Sequence, residues 1–94
     1  MKTKLNDVKA DSLMHKLRKF AIANRANKLN WNDDMQRKYY IYYSYDIKLL
    51  MVDYAETERD FGVIYFDSEE IAQEAIDVFL DELVWYFTEY KDGL

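Results

Sequence analysis

The sequence predicts an α+β fold, in which a basic helix is followed by a three-stranded antiparallel sheet and a long acidic C-terminal helix. Three features point there: apolar residues at helical spacing near the N-terminus, two central runs dense in Tyr, Ile, Leu and Val, and an acid-rich stretch with a cap signal and a helical apolar stripe. The 94 residues are half hydrophobic and 17% aromatic, with nine Tyr, which is enough apolar surface for one core and outside the range of disordered chains. One domain over residues 11–94 is expected, preceded by a polar arm over 1–10.

The first element is placed by Asp11 or Ser12 as a cap and by Leu13, Leu17, Phe20, Ala21 and Asn24 along one face, with Lys16, Arg18, Lys19 and Arg25 around them. It should fray between Ala26 and Asn30, because Asn27, Asn30 and Asn32 compete for backbone hydrogen bonds, and Trp31 then begins a connection. Residues 39–45 and 47–54 suit a pleated, half-buried surface, and the polar stretch between Ser44 and Lys48 suits a tight turn, so they read as a hairpin. A charged loop, residues 55–60, leads into residues 61–66, a third short strand that extends the hairpin into a meander. Asp67 followed by Glu70 forms a capping box, with Phe66 and Ile71 placed as a hydrophobic staple. The helix it starts carries Ile71, Ala75, Val78 or Phe79, Leu83, Phe87 and Tyr90 on one side and runs to a Gly93 stop. Ile76, Leu80, Val84 and Trp85 broaden its stripe beyond what a small sheet covers, so helix 1 or a second subunit should pack there too.

Charge is strongly divided along the chain. Residues 1–38 hold ten Lys/Arg and four Asp/Glu, a net +6, whereas residues 39–94 hold three and fourteen, a net −11. The two halves either neutralise each other or offer one basic and one acidic face to partners. With no Cys there is no disulfide framework, thiolate zinc site or cysteine nucleophile, which fits a cytoplasmic setting. No apolar run reaches bilayer length, and the start of the chain lacks the apolar stretch of a signal peptide. His15 has no Ser or Cys partner that the sequence can name and reads as a surface residue. The acid pairs Asp33–Asp34, Glu69–Glu70 and Asp81–Glu82 show neither a calcium-loop spacing nor a phosphate-cradling Gly loop. No enzymatic activity, cofactor or metal is expected.

Two segments carry functional expectations of their own. Residues 59–66, RDFGVIYF, resemble the signature strand of the RNA-recognition motif, with Asp60 where that family has Gly and Val63 in place of its second stacking aromatic. The resemblance implies base stacking on Phe61 and Tyr65, with Lys16, Arg18, Lys19, Arg25 and Arg59 on phosphate; a plain strand followed by a capped helix produces the same pattern. Tyr39, Tyr43 and Tyr45 fall on one face of the first strand and Tyr40 and Tyr42 on the other, so one set is core and the other offers a contact surface, unless helices cover both. The acids of the last helix either solvate it or imitate phosphates in a basic groove.

Taken in order, the basic helix, NWNDDMQRKYYIYY, the hydrophobic strand and FGVIYFDSEEIAQEAIDVF resemble a group of small phage and prophage proteins. That group shares a Trp followed by Asn or Asp, a YYI-type strand and a Gly-containing strand that runs into an acidic capped helix. The resemblance covers residues 13–87. It implies an accessory protein acting in the cytoplasm of an infected or lysogenic bacterium, an inhibitor of host defence nucleases such as those of CRISPR systems. The partner expected is a host effector nuclease, met by Glu70, Glu74, Asp77 and Asp81 with help from Tyr40 and Tyr42. The alternatives are a nucleic-acid-binding module and a structural homodimer joined near Trp85.

Overall fold

The computed structural model describes residues 4–91, without the side chain of Lys4. Helix α1 spans Lys4–Ala23, strands β1 Lys38–Ser44 and β2 Leu49–Ala55 form a hairpin, and helices α2 Glu69–Val78 and α3 Leu80–Trp85 lead into a π-helical turn, Tyr86–Tyr90. The class is α+β, but the sheet has two strands rather than three.

Helix α1 already includes residues before Asp11, so neither Asp11 nor Ser12 caps it; Ala10 joins Leu13, Leu17 and Ala21 in the buried stripe. It ends where Asn24 folds back, its backbone N–H and its Nδ2 both donating to the Phe20 carbonyl at 3.1 and 2.9 Å. The expected face position at Asn24 is therefore exposed and polar.

The hairpin register pairs Tyr39 with Tyr54, Ile41 with Val52 and Tyr43 with Leu50 on the face turned to the helices. Tyr45 and Ile47, expected within strands, lie in the four-residue turn, which Lys48 closes at φ 58°. Residues 61–66 are not a strand. Gly62 turns the chain at φ 79°, leaving Phe61 fully exposed, and only Phe66 pairs with the sheet. It does so with Tyr39 of β1, through two backbone hydrogen bonds of 2.7 and 2.8 Å, on the edge opposite β2 and not as the next strand of a meander.

The C-terminal helix is also not continuous. Phe79 leaves helical geometry at φ −111°, ψ 26°, where its ring meets Phe20 of α1 edge-on at 5.8 Å, and the last turn widens to π geometry with Lys91 N–H on the Tyr86 carbonyl. Edge packing on α1 thus outweighs a straight helix at this position. The expected Gly93 stop lies outside the described residues. The cap differs as well: Ser68, not Asp67, caps α2, its Oγ accepting from Ile71 N–H at 3.2 Å. Asp67 instead reaches across to the end of α1, its Oδ2 accepting from the backbone N–H groups of Ala26 and Asn27 at 2.7 and 2.8 Å.

One core holds these parts together: Leu13, Leu17 and Ala21 of α1 meet Phe66, Ala72, Ala75, Ile76 and Leu83. Ala72 and Ala75 let α2 lie close to both strands and to α1. Among the described residues no helix is long and apolar enough to cross a membrane.

Candidate binding surfaces

Three of the four acids singled out in the sequence share one helix face. On α2, at 100° per residue, Glu70, Glu74 and Asp77 fall within about 60° of each other, opposite the buried Ala72, Ala75 and Ile76, and Asp81 follows in the first turn of α3, beyond the break at Phe79. All four are exposed, and among the described residues none makes an ion pair or side-chain hydrogen bond. The three acids of α2 extend about 10 Å along its axis, in steps of about 4.5 to 6 Å. Beside the row stand Val78, Leu80 and Val84, each exposed. Apolar area is thus interleaved with the acids. Glu82, one residue beyond the row, is engaged: Lys16 Nζ bridges both its carboxylate oxygens at 2.8 and 3.0 Å and ties α1 to α3.

The tyrosines expected to help the acids stand elsewhere. Tyr40 and Tyr42 occupy the hairpin face turned away from α2, so they and the acid row lie on opposite sides of the two layers. Tyr42 is partly exposed, but Tyr40 is half-buried, its ring edge-on to Tyr65 at 5.9 Å. Burial, and after it the Asp53 carboxylate across the strand pair, raises the Tyr40 phenol above its ordinary pKa of 10.0.

The residues expected on nucleic acid are sorted differently from the sequence reading. Lys16 is held by Glu82, and Lys19 is exposed on α1 apart from the group around Arg59. Tyr65 is buried, its hydroxyl accepting from Asp60 N–H at 3.0 Å and its ring edge-on to Trp31 at 4.8 Å, so it offers no face for a base. Arg18 of α1 and Arg25, just past its end, by contrast, come together with Arg59 and Phe61. They line two adjoining depressions of about 430 and 230 Å³, which share Arg18, Arg59 and Val63. Trp31 forms part of the smaller one, with the Arg59 guanidinium 5.4 Å from its ring centre.

Sequence reasoning missed Lys38. It is fully buried on the outer side of the hairpin, its Nζ donating to the carbonyls of Asp33 at 2.7 Å and Glu56 at 2.6 Å, 5.0 Å from the Trp31 ring centre. The only available signal was a basic residue heading an aromatic strand. Trp85, the expected subunit contact, packs within the chain, with Lys9 Nζ 4.0 Å over its ring and Tyr90 at 5.4 Å.

His15 is exposed. No group of three or more His, Cys, Asp or Glu side chains among the described residues is gathered to hold a metal ion. In comparisons with protein-family models, curated proteins and solved structures, the chain matches none.

Proposed function

We propose that the chain is a non-catalytic binding protein of the phage accessory type, which blocks a host defence nuclease of the CRISPR kind by occupying its basic nucleic-acid groove. The observation that carries this reading is the row Glu70, Glu74, Asp77 and Asp81, exposed, unpaired and flanked by Val78, Leu80 and Val84. Its charges are spaced more coarsely than the roughly 3.4 Å per phosphate of a DNA strand but on the same scale, and α2 and α3 are anchored by their buried faces, so the backbone that carries the array is ordered before binding. A groove lined by Lys and Arg gains long-range attraction from the carboxylates and buried apolar area from the side chains between them. Tyr40 and Tyr42 take no part in this contact.

The test is competition. A guide-loaded CRISPR-type effector holding a labelled target duplex should release it as the purified protein is added, with weaker release at higher salt. Release that does not occur, or binding of the protein that leaves the duplex in place, contradicts occupation of the groove.

A further inference from the structure

We infer that a second, separate surface, formed by Arg18, Arg25, Arg59 and Phe61, binds single-stranded nucleic acid. It does not rest on the acid row. Three arginines from two distant parts of the chain line joined depressions, and a fully exposed aromatic ring stands at their edge. The two elements meet because Gly62 turns the 59–63 loop back against the flank of α1, instead of continuing a strand as the sequence suggests. Guanidinium groups along a groove suit successive phosphates, and a free ring suits the face of an unpaired base, which a duplex would not offer to Phe61. Arg59 lies over Trp31, its guanidinium 5.4 Å from the ring centre, which favours the rotamer that faces the depressions. An acidic peptide without an apolar side chain would satisfy the arginines but would leave the ring unused. Asp60 lines the larger depression and opposes phosphate there, which gives the surface a residue whose removal should improve it.

Fluorescence anisotropy of the full chain with short labelled oligouridylate and oligothymidylate, over a salt series, tests this. The expected result is binding whose log–log salt slope is about −2, from ~0.7 per phosphate neutralised on a single strand by three arginines. R18Q/R25Q/R59Q should weaken binding by about tenfold or more and flatten the slope, and F61A should weaken it by roughly tenfold without changing the slope. D60N should tighten it, while E70Q/E74Q/D77N/D81N should not weaken it. Circular dichroism of each variant separates these effects from unfolding. Absence of binding at low salt overturns the inference, as does binding that the triple arginine variant retains. A concentration-dependent mass that the arginine variant abolishes, without oligonucleotide binding, also overturns it and assigns the depressions to the acids of a second copy.

Discussion

Lys38 shows how far single residues depend on the whole fold. Its charge is removed from water yet answered by two carbonyls from either side of the hairpin and by the Trp31 ring, so it acts as a pin between residues 33 and 56. Lys38→Met should leave both carbonyls unpaired and cost about 2–3 kcal/mol in urea unfolding; an unchanged midpoint would show that water replaces the ammonium freely. Tyr40 gives a pH signature. Because its folded pKa lies above the unfolded value of 10.0, its contribution is complete below pH 10 and is lost as pH rises through the folded value. The melting temperature of the wild type should therefore fall more steeply above pH 10 than that of Tyr40→Phe; equal slopes would remove Tyr40 from the account. Neither role was legible from the sequence. Lys38 looks like the last member of a basic run, and the alternation of Phe61, Val63 and Tyr65 suggests one exposed face, whereas the turn at Gly62 leaves Phe61 in water and buries Tyr65.

Elements were legible where the signal is periodic or dense. The hairpin follows from its Tyr, Ile, Leu and Val content, and the α1 stripe from the spacing of Leu13, Leu17 and Ala21. Boundaries set by distant contacts were not. Asp67 and Ser68 are both good capping residues, and local sequence cannot tell that Asp67 is taken by Ala26 and Asn27. Their roles predict different losses. Ser68→Ala removes one cap bond and should cost about 1 kcal/mol. Asp67→Ala removes two charge-assisted bonds and frees the end of α1, at about 2 kcal/mol or more, with faster hydrogen exchange at Ala26 and Asn27. If Ser68→Ala cost more, Asp67 would not be the clamp. The break at Phe79 has a similar origin, since the Phe20 ring that it meets lies on another helix.

At the scale of the molecule, acids and bases gather on different surfaces, but Arg59 of the acidic half joins the basic one, and Lys16–Glu82 links the two halves. The acids of α2 were legible as a row because the spacing of Glu70, Glu74 and Asp77 matches the helix period. The arginine group was not, since Arg59 joins Arg18 and Arg25 only through the turn at Gly62. Val78 and Leu80 are exposed, so V78S/L80S should leave the melting temperature nearly unchanged yet weaken partner binding; a large loss of stability would mean that they belong to the core instead. Occupation of the nuclease groove by the acids is tested by a cleavage titration of a guide-loaded CRISPR-type nuclease with the wild type and with E70Q/E74Q/D77N/D81N. The wild type should inhibit cleavage, and the folded variant should need at least about tenfold more protein, with most of the salt dependence gone. Equal inhibition by both proteins, or none by the wild type, would contradict it.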